Sequence, residues 1–344
     1  IFGIGEIDRN GFNNSKAMGG LSTGLRQSNQ INYMNPAAIS SQDTMSFIFD
    51  IGINGISKEM KSATESAEFN DFAFDHLAIS FPIKRWWFAS AGITPFSKIG
   101  YDIQETTPYA PNDTVQMHYD YYGNGGINQL FLSNSFKIFD NLSIGFNFNY
   151  LFGSLEQYNM IFSDISSFST VVVDDIAVKK VTFDFGAQYY NTFKDKYFYT
   201  IGATYSTNTS LNSEKRSSVL NTTYNWYDIS IVDYLGSRFK AIDTVSASID
   251  SKYNVEIPNK LSVGFTAGIT NKLTVGFDYS YQDWSDIKSI NNGDNYDTDQ
   301  YYNFGVEYTP NKFSLRNYFN RINYRAGAYL NNSYLKLHGE QIQN

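Results

Sequence analysis

The chain has 344 residues, with 26 Lys and Arg against 34 Asp and Glu and a net charge of −8. The absence of cysteine excludes a disulfide framework, a zinc–thiolate site, an iron–sulfur cluster and a cysteine nucleophile, while three scattered histidines and an acidic balance argue against a multi-His metal site and against nucleic acid as a partner. Aromatic residues reach 17%, and charged residues, also 17%, fall below the roughly 25% of an ordinary soluble domain.

Taken in chain order, residues 1–43 are rich in Gly and small residues and precede any strand pattern. The chain opens at Ile1 without a basic-then-apolar leader, as expected if a signal peptide has been removed or if the numbering starts inside a longer chain. The longest unbroken apolar run is Trp86-Trp87-Phe88-Ala89, far short of the roughly 20 residues of a spanning helix.

From residue 45 onward, period-two alternation dominates. Eleven strands are expected, near 45–54, 74–83, 86–96, 129–138, 142–150, 180–190, 197–206, 261–269, 273–281, 301–309 and 321–330, with a twelfth in 334–343. In the block 142–150, Leu142, Ile144, Phe146, Phe148 and Tyr150 share one face, and Ser143, Gly145, Asn147 and Asn149 share the other. Tight turns are expected at Lys84-Arg85, Phe139 to Asn141, Asn191 to Lys196 and Thr270 to Lys272. Between them, 55–71, 97–127, 153–179, 207–257 and 284–300 read as long polar loops. Short turns at one end and long loops at the other are the signature of an all-β, transmembrane, up-and-down antiparallel β-barrel. A soluble sandwich would turn a Lys- and Glu-rich face to water; here the polar face is mostly Gly, Ser, Thr and Asn, which suits a lumen. Trp86, Trp87, Tyr281, Trp284, Tyr301 and Tyr302 fall near strand ends, as interfacial girdles do.

Asp50, Asp184, Asp278, Glu307 and Arg325 fall on the polar parity of their strands and are expected to face the lumen. A lipid-facing Arg at mid-bilayer would cost about 2–4 kcal/mol. Inside, these charges would line a ligand path, hold a plug, or pair with one another. Neither His76 nor His118 has an obvious partner in the sequence.

Two motifs go beyond a generic barrel. Ala17-Met-Gly-Gly-Leu-Ser-Thr-Gly-Leu-Arg26 leads to Asn35-Pro36-Ala37. Later, Pro258 precedes Leu261-Ser-Val-Gly264, the 270–272 turn, and a stretch running from Asp278 to Trp284-Ser285. Together they resemble the FadL/TodX family of outer-membrane hydrophobic-compound transporters, and the Asn, Tyr and Phe content resembles members from Bacteroidota. The resemblance implies a 14-stranded barrel with residues 1–43 folded inside as a hatch and 44–344 as the barrel wall. It also implies an apolar small-molecule substrate, no cofactor, and a site in the bacterial outer membrane. On that pattern two or three closing strands are expected to be missing, or a partner chain closes the gap. Pro36 fixes its own φ and biases Asn35 toward extended geometry, which suits a rigid turn. Pro82 and Pro95 interrupt strand patterns and mark strand ends or a wall opening.

Asp294, Asp297 and Asp299 have calcium-like spacing, but the terminal Glu of a full Ca loop is missing, so a solvated acidic loop is the favoured reading. No catalytic constellation emerges, and an enzyme is not expected. Two functions compete: passive uptake of small hydrophobic molecules such as fatty acids, through a hatch-gated barrel with lateral exit, or an accessory subunit of a multi-protein outer-membrane secretion or assembly machine that docks through long extracellular loops or barrel wall.

Overall fold

The structure, a computed structural model, describes residues 5–8, 11–61, 66–110, 114–166, 168–222, 241–285, 296–337 and 340–343. A short strand β1 (Glu6–Ile7), one helical turn α1 (Asn13–Ala17) and a 3-10 turn (Pro36–Ser41) come first. The wall follows: β2 (Ile48–Lys61), β3 (Ser66–Lys84), β4 (Trp87–Pro108), β5 (Gln116–Phe139), β6 (Leu142–Ser163), β7 (Ser169–Phe193) and β8 (Tyr197–Ser206). Next come β9 (Thr209–Thr222), β10 (Ala241–Ile257), β11 (Lys260–Ile269), β12 (Leu273–Asp283), β13 (Thr298–Tyr308), β14 (Tyr324–Leu337) and β15 (Glu340–Gln343).

All eleven expected strands are present, the twelfth expected in 334–343 divides between the end of β14 and β15, β9 and β10 come in addition, and the pairing is antiparallel throughout. The path of neighbours runs from β2 through β8, then β11 to β15, with the β9–β10 hairpin attached to the upper part of β7. This is a transmembrane β-barrel of outer-membrane type. No helix among the described residues is long and apolar enough to cross a membrane.

The expected long loops need correcting: most of 55–71, 97–127, 153–179 and 207–257 is strand. The reason is visible in β6. From Leu142 to Phe152 the even residues point outward and are apolar, while Ser143, Gly145, Asn147 and Asn149 are buried inside. Eleven residues match the span of a tilted membrane strand, about 9–11. From Leu151 to Glu156 the faces exchange character without changing parity, with Leu151 and Leu155 buried inside and Ser154 and Glu156 exposed outside; only at the strand's far end does the burial parity reverse, with Met160 and Phe162 buried and Ile161 exposed. In β7, buried Gln188 and Gly186 give way to buried Val178 and Ile176 on the same inward parity. The strands therefore leave the bilayer and continue as an ordinary water-facing sheet with an apolar interior.

Candidate functional site

The interior has two fillings. In the turn half of the barrel it is residues 11–42, most of which lie buried against the inward faces of the strands. The wall receives them on a row of glycines. Gly145 pairs with Gly186, Gly202 with Gly264, and Gly276 with Gly305, which in turn faces Gly327. A side chain at any of these would collide with the enclosed segment. A Cβ on Gly305 would fall 2.5 Å from the Met18 carbonyl oxygen, and one on Gly145 would fall 2.6 Å from the Pro36 backbone.

The Gly202–Gly264 pair is the floor beneath Thr23 and Gly24. Asp278 stands across the ladder from Gly264, and Gln188 across from Gly202. The Asp278 carboxylate accepts hydrogen bonds from three successive backbone amides, those of Ser22 at 2.6 Å, Thr23 at 2.6 Å and Gly24 at 3.0 Å. Three converging N–H groups form a concave anion nest, here occupied by the wall's own carboxylate. Gln188 Nε2 donates to the Thr23 and Leu25 carbonyls at 3.1 and 3.2 Å. Asn303 donates to Gly20, Thr266 to Gly24 and Asn147 to Tyr33, each on a carbonyl oxygen.

Asn35 caps the 3-10 turn, its Oδ1 accepting from the Ala37 amide at 3.1 Å while its Nδ2 donates to the Thr23 carbonyl at 2.7 Å. Pro36 and Ala37 are buried within that turn. Arg26 reaches Ser40 Oγ at 3.1 Å and Gln188 Oε1 at 3.2 Å. At the opposite wall, Lys16 of α1 is ion-paired with Asp75, whose other oxygen is 2.8 Å from His76 Nδ1. Asp50 lies 3.3 Å from His76 Nε2, and Phe12 stacks on the imidazole at 3.8 Å. A register shift between Gly52 and Ile53 accommodates this pair, so adjacent Asp75 and His76 are both buried.

In the loop half, one apolar cluster joins Ile99, Ile127, Leu151, Leu155, Val178, Leu211, Ile257 and Trp284. Tyr334 stacks on Trp284 at 4.4 Å. A cavity of about 130 Å³ touches both fillings, with Ser22, Thr23 and Tyr33 on one side and Leu151 and Ile257 on the other. Its remaining lining is largely polar, including Gln129, Asn149, Asp184, Ser262 and Gln282. A second space of about 380 Å³, lined by Arg26, Gln27, Lys272, Glu307 and Thr309, lies at the turn end. The wall also parts. β3 and β4 pair only up to Leu77 and Ile93; beyond, β4 is met by β1, with Glu6 opposite Lys98 and Ile7 opposite Ser97. Pro95 lies at the adjacent register shift of β4 against β5, whereas Pro82 sits at the shift beside the 85–86 turn.

The family model described as BamG matches residues 1–344. The chain belongs to the BamG family. No curated protein sequence matches it. Among solved structures it is similar to the Ralstonia pickettii toluene transporter TbuX, at 16% identity over 94% of this chain and 88% of that one, with a TM-score of 0.60. It is also similar to the Pseudomonas putida toluene transporter TodX, at 15% identity over 94% and 84% with a TM-score of 0.60. A Pseudomonas aeruginosa FadL homologue matches at 14% over 93% and 80%, with a TM-score of 0.52. This BamG-family chain thus has the FadL/TodX barrel fold.

The structure brings Asn35, Pro36, Gly264 and Asp278 together through residues 22–25 and separates them from Pro258, Trp284 and Ser285. Pro258 accepts from Gln282 Nε2 at 2.7 Å, Trp284 enters the apolar cluster, and Ser285 hydrogen-bonds to Asp283. Asp184 accepts from Asn149 Nδ2 at 2.7 Å, and Glu307 accepts from Arg325 Nε at 2.6 Å and Gln27 Nε2 at 3.1 Å. Of the three calcium candidates, Asp294 lies outside the described residues. Lys336 Nζ, at 2.8 Å, and the Thr298 amide hold the Asp297 carboxyl below the usual carboxylate range. The structure overturns the reading of the histidines as unpartnered: His76 joins Asp50 and Asp75, and His118 lies 2.8 Å from Asp164. Of the residues not singled out, Gln188 shares the polar parity of Asp184 in the expected strand 180–190 and Arg26 ends the quoted motif, so both carried a signal, whereas Lys16 carried none.

Proposed function

We propose that this BamG-family barrel is an integral outer-membrane protein that serves as an accessory subunit of a multi-protein secretion or assembly machine. The supporting observation is the filled interior. Residues 11–42 span the turn half on hydrogen bonds and a glycine floor, the apolar cluster fills the loop half, and the cavity between them is only about 130 Å³, with a mixed polar and apolar lining. Sites for small apolar ligands usually enclose about 300–1,000 Å³ with mainly apolar lining. A filled barrel offers a rigid outer surface rather than a route, and a shared fold does not fix a shared function. The family supports the same reading, which includes neither an enzymatic centre nor a cofactor. Native mass spectrometry after gentle extraction from the outer membrane should find stoichiometric protein partners and no small-molecule adduct. A solitary barrel carrying an apolar molecule would overturn it.

A second reading is passive uptake of small hydrophobic molecules with lateral exit; two of the similar solved structures are described as toluene transporters. The parting of β3 from β4 favours it, because the cavity reaches Ile7 and Phe96 beside that opening. On this reading β1 must leave β4. Facing residues of an antiparallel pair lie about 4.5–5.5 Å apart at Cα, within disulfide reach. Oxidised E6C/K98C, in a chain with no other cysteine, should then abolish uptake until reduced; unchanged uptake would remove this reading.

A further inference from the structure

Four of the connections at the turn end span two or three residues, whereas β13 and β14 are joined by residues 309–323. This foot is ordered. Thr309 N donates to the Lys272 carbonyl at 2.8 Å, Lys312 Nζ reaches Asn271 Oδ1 at 3.0 Å, and Asn311 N donates to the Asn320 carbonyl at 2.8 Å. Asn317 caps the 3-10 turn Tyr318–Arg321. Yet the foot presents large apolar side chains outward: Phe313 is 72% exposed, Leu315 99%, and Tyr318 and Phe319 each 67%. Four large apolar side chains held out to the surroundings on one short connection mark an interaction surface. Lys312, Arg316 and Arg321 lie among these side chains, and 309–323 contains no carboxylate, in a chain of net charge −8.

The same chemistry recurs around the rim. Lys84 lies over Trp86 at 5.4 Å, Lys194 over Phe193 at 5.2 Å, Lys196 over Tyr197 at 5.4 Å, and Arg321 over Tyr318 at 5.5 Å. A protein partner would meet one sector of the rim, whereas a lipid leaflet meets all of it. Aromatic rings settle at the headgroup level, and long cationic side chains extend from there toward anionic groups.

We propose that the turn end of the barrel, with residues 309–323 as its foot, binds the headgroups of anionic phospholipids. The inference holds under either reading of the function. The test uses the full chain in nanodiscs of mixed phosphatidylcholine and phosphatidylglycerol, with retained lipids counted by native mass spectrometry. Wild type should retain phosphatidylglycerol over its bulk share by about threefold, and K312Q/R316Q/R321Q should fall to parity, since each basic residue adds attraction to an anionic surface. Heat-dependent gel mobility, a readout of the folded barrel, should stay unchanged in the variant. A wild type without enrichment, or a folded triple variant with undiminished enrichment, overturns the proposal. So does a wild type without enrichment from which the triple variant alone loses a co-purifying protein, which would make the foot a protein-docking surface.

Discussion

The turn half and the loop half of this barrel are filled by opposite chemistry. In the turn half, backbone amides and carbonyls of residues 20–37 meet Asp278, Gln188, Asn147 and Asn303 over a glycine floor. In the loop half, Ile, Leu, Val and Trp side chains of the wall meet one another. The difference follows from what lies outside. Within the bilayer the outward face must be apolar, so the inward face is free to be small and polar, and a chain enclosed there is held by hydrogen bonds in a medium of low dielectric. Above the bilayer the outward face meets water, and burial of apolar side chains becomes the driving force again.

The comparison can be broken first at its strongest point. Replacing Asp278 with Ala leaves the Ser22, Thr23 and Gly24 amides without their acceptor. Hydrogen bonds to a charged group are each worth about 1.5–3 kcal/mol, so D278A should destabilise the enclosed segment by roughly 3 kcal/mol or more. Protease cleavage within residues 11–42 and single-channel conductance in planar bilayers should both rise; a variant as protected and as silent as wild type refutes the polar clamp. Trp284→Ala attacks the other filling and should cost about 3 kcal/mol of barrel stability, with cleavage confined to the loop half and residues 11–42 still protected. Cleavage of both halves together would mean that the two fillings are one cooperative unit.

The glycine floor sharpens the contrast further. Gly305→Val should cost about 1–3 kcal/mol through the clash with Met18, whereas Gly100→Ala, with nothing within 4 Å, should change stability by less than about 0.5 kcal/mol. Equal urea midpoints for the two would show that the floor does not need glycine. The smallest effect belongs to the half-buried Asp297–Lys336 pair. Because the folded carboxyl titrates below its unfolded value, the pair contributes above the unfolded carboxylate range, near pH 4, and the contribution is lost as pH falls through the folded value. Asn at 297 should lower stability at neutral pH by less than about 1 kcal/mol and make no difference in strong acid; a gap that persists in acid would assign the effect to something other than charge.

The strand cores were legible because period two is a local property. Leu142 to Tyr150 carries its two faces in nine consecutive residues, and the short turns are read the same way. The upper strands read as loops in the sequence because the expected signal, apolar outside and small inside, ends where the bilayer ends. The site was half legible. Asn35, Pro36 and Asp278 stood out by motif, but the clamp joins Ser22 to a carboxylate 256 residues away, and nothing local announces that pairing.

The amino-acid sequence alone determined the barrel class, the membrane-facing parity and the small-residue character of the inner wall, all of which depend on side chains two residues apart. Only the tertiary structure decided what those glycines are for. Their row exists only when seven strands lie side by side in register, and its purpose, room for another backbone, appears only when residues 11–42 lie against it. The same holds for the inversion at Leu151, where one unchanged parity passes from lining a polar lumen to building an apolar core. Sequence records the alternation; the solvent on the far side of the sheet decides what each face must do.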